Sequence, residues 1–193
     1  MKKTYIICLL FMMMSLSGCV TFLVGSGSTV ALATAQERTI GEAIDDTVIK
    51  FNINAAWLKE DSDIFRDCSM TVSDGRVLLT GVVTTSIAMR KAVKLTWQVD
   101  GVKEVINEIF VNPNGKSIAQ SSTDAWIATK IRAKLLANKD VLSINYSIDV
   151  NNSNVYLIGI AQDSNELDTV INIIRNTNSV ESVTSYVKMK HRN

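Results

Sequence analysis

Few side chains in this chain could do chemistry, and they do not gather. Its three cysteines are Cys8, Cys19 and Cys68, and its one histidine is His191. An activated nucleophile needs a base within reach, and no Ser/His/Asp or Cys/His set accompanies that histidine. Metal-ligand spacing of the zinc type is missing. The acidic run Glu60-Asp61-Ser62-Asp63 departs from the EF-hand pattern and reads as a solvated loop. Gly25-Ser26-Gly27-Ser28 has no strand-to-helix context in which a glycine-rich loop holds phosphate. Cys68 lies in a strand-like run, Asp67-Cys68-Ser69-Met70-Thr71-Val72, and reads as a small buried apolar residue without a disulfide partner. These absences predict a protein that is not an enzyme and needs no metal or cofactor. A formal net charge of +1 supplies no broad field to gather nucleic acid.

The first cysteines belong to a different chemistry. Lys2 and Lys3 precede an apolar run over 5–16, too short to span a bilayer and suited to a secretory signal. It ends in Leu16-Ser17-Gly18-Cys19, which resembles a bacterial lipobox. That resemblance implies diacylglycerol on the Cys19 sulfur, cleavage before Cys19, and a fatty acyl group such as palmitate on the new amino terminus. Two acyl signals suffice for stable anchoring, at about 0.8 kcal/mol per buried methylene. Residue 20 is Val rather than the Asp that retains many lipoproteins at the inner membrane, so the resemblance implies the outer membrane, facing the periplasm. The expected division is a signal peptide over 1–18 and a lipidated N-terminus with tether over 19–38. Flexible chain of that length has an end-to-end distance near 25 Å, or ~25 Å of reach from the leaflet.

Beyond Arg38 the chain repeats itself at a constant offset of 78 residues. Asp46 matches Asp124, Ile53 matches Ile131, Ala55 matches Ala133 and Leu58 matches Leu136. Val72, Val77, Leu79 and Gly81 match Val150, Val155, Leu157 and Gly159, and Val102 and Val105 match Val180 and Val183. The identities fall on apolar and glycine positions, as expected when two copies keep a core and let their surfaces diverge.

Each copy reads helix, strand, strand, helix, strand. In the second, Ile127, Ile131 and Leu135 recur on one helical face, with Thr123 or Asp124 as a candidate N-cap. Tyr146, Ile148 and Val150 alternate, a turn follows over 151–154, and Val155, Leu157 and Gly159 alternate again: a hairpin signal. Ser73-Asp74-Gly75-Arg76 stands at the same place in copy one. Leu167, Val170, Ile171 and Ile174 have the spacing of one buried stripe, matched by Met89, Ala92, Val93 and Thr96. The closing strands present Val105, Asn107, Ile109 and Val111, and Val183, Ser185, Val187 and Met189, on one face. The fold class is α+β: two tandem αββαβ units, each a three-stranded sheet with two helices on one face. Their expected ranges are 39–112 and 122–193, joined by a linker over 113–121. Units this small bury limited surface, so the two copies are expected to pack on each other.

This arrangement, the glycine ending each second strand and the valine before each last strand resemble the BON domain, named for bacterial osmotically inducible and nodulation proteins and associated with phospholipid surfaces. Arg38-Thr39-Ile40-Gly41 with Asp45-Asp46, and Thr123-Asp124-Ala125-Trp126-Ile127-Ala128-Thr129-Lys130-Ile131-Arg132, are the segments most similar to that family. A lipobox followed by two such units resembles the dual-BON outer-membrane lipoproteins linked to division and envelope stress. The resemblance implies binding of anionic phospholipid, phosphatidylglycerol especially, through the first helix of copy two.

That helix carries an unusual outer face. With Ile127, Ile131 and Leu135 turned inward, the far side holds Trp126, Thr129, Ala133 and Leu136, bordered by Lys130 and Lys134 on one edge and Arg132 on the other. Tryptophan favours the bilayer interface, and a base near an anionic surface contributes about 1 kcal/mol. Copy one has Val48, Phe51, Ala55 and Leu58 in the matching places, with Asn52 and Ala56 where the lysines stand. The expected roles are Cys19 as anchor, copy one as platform and copy two as lipid sensor. The alternative is a periplasmic scaffold docking on an outer-membrane assembly factor or a cell-wall enzyme.

Overall fold

The computed structural model describes residues 40–190, with side chains from Asp45 onward. The signal, the lipobox with Cys19, the tether and His191 lie outside the described residues. Copy one runs α1 (Ile40–Glu60), α2 (Ser62–Asp67), β1 (Cys68–Ser73), β2 (Arg76–Val83), α3 (Ser86–Trp97) and β3 (Glu104–Val111). Copy two runs α4 (Ile118–Ala137), a 3-10 turn (Ser143–Asn145), β4 (Tyr146–Asn151), β5 (Asn154–Ala161), α5 (Ser164–Arg175) and β6 (Ser182–Met189). The repeated αββαβ order is therefore present, with one short extra helix, α2. It grows from the acidic run expected to be a loop: the Asp61 carboxylate caps α2, accepting from the amides of Asp63 and Ile64, and pairs with Lys91 at 3.1 Å.

In each sheet the second strand is central, antiparallel to the first and parallel to the third. The parallel pairing follows from the helical crossover that returns the chain to the same end of the sheet. Both hairpins turn on two residues with positive φ, Asp74 (56°) and Gly75 (71°) in one and Asn152 (50°) and Ser153 (61°) in the other. That is the turn whose twist matches paired strands.

One face of each sheet holds the core. Ile49, Ile53 and Trp57 of α1 bury against Val77, Leu79, Ala92 and Ile109, and the Trp57 indole N–H donates to Ala92 O at 3.3 Å. Ile127, Ile131 and Leu135 of α4 bury against Ile148, Val150, Val155, Leu157, Val170 and Ile174. Each fully buried aliphatic side chain contributes about 1.5–3 kcal/mol.

The backs of the two sheets face each other. Leu78, Tyr156 and Ile158 form a buried cluster there, joined by Ile106 and Tyr186. Leu78 and Tyr156 are matched positions of the repeat, as are Glu108 and Tyr186, whose side chains hydrogen-bond. Arg76 donates to Tyr186 O at 2.8 Å while pairing with Glu104, Asn151 donates to Gly81 O at 2.8 Å, and Thr80 bonds Asp149. The layers run helices, sheet, sheet, helices, and the expectation that the copies pack on each other holds.

Four local readings change. The helix expected to start near Asp124 begins at Ile118, where Ser117 Oγ accepts from Gln120 N at 3.1 Å. Ser121, Ser122 and Thr123 lie inside it, their hydroxyls bonded back to the carbonyls four residues earlier. In α5 it is Ile173, not Ile171, that packs on the core beside Leu167, Val170 and Ile174. The second strand of each unit runs two residues past its glycine, to Val83 and Ala161. Gly81 and Gly159 instead mark a close approach: a Cβ at Gly159 would lie 2.0 Å from Asn145 O, and one at Gly81 2.3 Å from Asp67 O. Of the closing strands, Val105, Ile109, Val183 and Val187 reach the cores, whereas Asn107, Val111, Ser185 and Met189 are exposed.

Candidate functional site

Asp124, weighed above as a cap, is buried and does other work. Its carboxylate accepts from the amides of Asn152 and Ser153, each at 2.9 Å, so the first helix of copy two holds its own hairpin turn. Asp46 does the same in copy one, accepting from Asp74 N at 2.9 Å and Gly75 N at 2.8 Å. Burial pushes the Asp124 carboxyl upward, yet Lys116 at 2.7 Å, the two turn amides and Gln120 together hold it below the ordinary carboxylate range. This contact ties the start of α4 to the β4–β5 turn, while Ile127, Ile131 and Leu135 set the face it buries.

The named residues of α4 lie open to solvent. Trp126 is 45% exposed and Leu136 77%, and Thr129, Lys130, Ala133, Arg132 and Lys134 are all exposed. Lys130 Nζ sits 4.1 Å from the centroid of the Trp126 ring, a cation–π pair on the exposed side of the helix. The other two bases are committed elsewhere. Lys134 Nζ donates to Asn176 O at 3.1 Å and Thr177 Oγ1 at 2.9 Å, tying it to the end of α5. Arg132 turns toward β4 of its own copy, donating to Ile148 O at 2.8 Å. The Thr129 hydroxyl is bonded back to Ala125 O. Trp126 and Lys130, flanked by the small Ala133, are thus the chemically available centre.

Copy one's matching face is also open. Val48 is 50% exposed, Phe51 71% and Leu58 57%, an apolar stripe with no base among its members. Phe51 lies on the face where its spacing placed it, and Asn52 and Ala56 stand where copy two has lysines.

Cys68 is a free, half-buried thiol that burial pushes up to about 12, far from the reactive range. Among the described residues no group of acidic, histidine or cysteine side chains could hold a metal, and no helix is long and apolar enough to cross a membrane.

Comparison with known proteins adds family to geometry. The model of the BON domain matches residues 45–113 and again 123–190. The chain is 40% identical over 148 residues to an uncharacterised protein in the gshII 5′ region of Anaplasma centrale, covering 77% of this chain and 97% of that one. It is 34% identical over 146 residues to the outer membrane lipoprotein DolP of Haemophilus influenzae, 75% of each chain. It is 32% identical over 151 residues to a 21 kDa hemolysin of Actinobacillus pleuropneumoniae, covering 76% of this chain and 75% of that protein.

Proposed function

The chain belongs to the BON-domain family as a two-unit member related to an outer membrane lipoprotein, and from that premise we propose that it is itself an outer-membrane lipoprotein that binds anionic phospholipid through copy two and supports envelope integrity. Cys19 carries the acyl groups, residues 19–38 tether the body, and copy one is the platform. The observation that carries the reading is the Trp126–Lys130 pair, an apolar ring with a cation stacked on it on the exposed side of α4. An indole at an interface keeps its apolar body in the acyl boundary and its N–H wet, and the ammonium meets a lipid phosphate. The anchor makes this second contact nearly intramolecular, so a weak intrinsic affinity is enough.

Sedimentation of the body, without its acyl group, with phosphatidylglycerol vesicles and with neutral ones tests the proposal. Binding to the anionic vesicles alone is the expected result. A second reading, docking on an outer-membrane assembly factor or a cell-wall enzyme, draws on the open stripe of Val48, Phe51 and Leu58, and absence of vesicle binding would favour it.

A further inference from the structure

At the edge where the two copies meet, a cavity of about 420 Å³ is lined by Lys50 of α1, Thr71 of β1, Arg132 and Leu136 of α4, and Ser143 and Ser147 beside and on β4. Cavities of a few hundred cubic ångströms accommodate small ligands or headgroups. The lining holds two cations and no carboxylate. Lys50 makes no hydrogen bond or ion pair among the described residues. Arg132 commits one Nη2 hydrogen to Ile148 O, which fixes the plane of its guanidinium and leaves its other N–H groups without a protein acceptor among the described residues.

Like charges sharing a cavity repel, and an anion between them turns that repulsion into attraction. A guanidinium fork and a point-charge ammonium are the usual pair around a phosphate oxygen set. Three hydroxyls, on Thr71, Ser143 and Ser147, add donors. The arrangement is also one-sided. The repeat places Ala128 where Lys50 stands, Asn54 where Arg132 stands and Asp149 where Thr71 stands, so the matched positions carry no cation and one carboxylate. Leu136, 77% exposed, sits in the lining as an apolar neighbour for an acyl chain.

We infer that this junction cavity binds the phosphate group of a glycerophospholipid, with copy one supplying Lys50 and Thr71 to a site otherwise carried by copy two. The inference rests on the membrane reading of α4 and deepens it: the platform copy becomes half of the headgroup site, and the two copies must be docked for the site to exist.

The test uses the body from Gln36 onward, a single compact unit, with Lys50→Glu, Lys50→Arg and Trp126→Glu variants. Each is titrated with phosphatidylglycerol vesicles and, separately, with inorganic phosphate, following the Thr71, Ser143 and Ser147 amides by NMR. Lys50 is exposed, so its variants should keep the wild-type melting temperature. Lys50→Glu should bind anionic vesicles about tenfold more weakly, and Lys50→Arg should retain binding. If Lys50→Glu binds vesicles as the wild type does while Trp126→Glu does not, the junction site is wrong and the helix face stands. If both bind normally, both readings fall. A cavity that answers to inorganic phosphate but not to vesicles would be a free-phosphate site, and the lipid assignment would be overturned.

Discussion

Glu108 and Tyr186 hold the same position in the two copies, 78 residues apart, and they touch: the Tyr186 hydroxyl donates to the Glu108 carboxylate. Matched residues meet in this way when the axis relating the copies passes close to them, and the reciprocal packing of β2 on β4 and of β1 on β5 makes that axis an approximate two-fold. Leu78 and Tyr156, matched in the same way, share the buried cluster beside them. The duplication therefore built something close to a symmetric dimer within one chain. Its seam has become asymmetric where a carboxylate faces a phenol.

That seam predicts alkaline sensitivity. Burial first, and then the Glu108 carboxylate, push the Tyr186 phenol up to about 12, and burial does the same to Tyr156. A group whose folded pKa is raised gives stability that is complete below its unfolded value, about 10 for tyrosine, and lost as pH rises through the folded one. Melting temperature should hold from pH 8 to about 10 and fall from there toward 12. The fall should be shallower in a Tyr156→Phe/Tyr186→Phe double variant, as followed by circular dichroism with tyrosine absorbance. Identical alkaline melting of the two proteins would refute this role for the seam.

Asp124 predicts the opposite end of the pH scale. Its lowered pKa means stability present above the unfolded carboxylate value, about 3.9, and lost as pH falls through the lower folded value. Asp124→Ala would leave two turn amides and Lys116 without their acceptor. Hydrogen bonds to a charged group are worth about 1.5–3 kcal/mol each and are not additive, so a loss of about 3 kcal/mol is expected by urea unfolding. A loss below about 1 kcal/mol would show that the hairpin does not depend on this contact.

Gly159→Ala should be among the most damaging single-methyl additions in copy two. The new Cβ would meet Asn145 O at 2.0 Å, at a backbone φ of 154°. Either the hairpin or the 3-10 turn must move, so a cost of at least about 2 kcal/mol is expected. Gly115→Ala has nothing within 4 Å of its Cβ. Its positive φ still strains a side chain, but the cost should be clearly smaller in the same unfolding assay.

Most of the fold was legible because the repeat doubled every signal. Many apolar positions seen twice are core positions, as with the fully buried Val77 and Val155, although the matched Leu58 and Leu136 are both exposed. The start of α4 was not legible. Ser121, Ser122 and Thr123 have loop chemistry, and only their back-bonding to earlier carbonyls lets them stay helical. The exposed side of the helix was readable from its period alone. The directions taken by Arg132 and Lys134 were not, because their partners, Ile148 and the end of α5, are set by tertiary packing. Lys50 escaped notice for the same reason: nothing local relates it to Arg132.

The proposed anchor predicts a modified amino terminus. Mass spectrometry of the membrane-extracted protein should find residue 19 first, carrying diacylglycerol and an amide-linked acyl chain. Cys19→Ala should leave unprocessed precursor. An unmodified cysteine, or cleavage at another residue, would remove the lipoprotein assignment.

Salt should separate the parts of the proposed lipid face. Lys130→Glu should weaken binding to anionic vesicles less than loss of the indole does, with an effect that grows as salt falls because exposed charges are screened over about 10 Å at 0.1 M. Lys134→Glu should act more weakly still, since that ammonium is already tied to Asn176 and Thr177. Equal effects of the two at all salt concentrations would argue against a face centred on Trp126 and Lys130.

The most direct measurement compares matched positions. Trp126 and Val48 occupy the same place in the two copies and are about equally exposed, 45% and 50%. In the body without its acyl group, Trp126→Glu should weaken partitioning onto phosphatidylglycerol vesicles by at least about tenfold, roughly 1.4 kcal/mol, while Val48→Glu binds as the wild type does. Normal binding by a folded Trp126→Glu protein, or an equal loss from Val48→Glu, would contradict the assignment of lipid recognition to copy two.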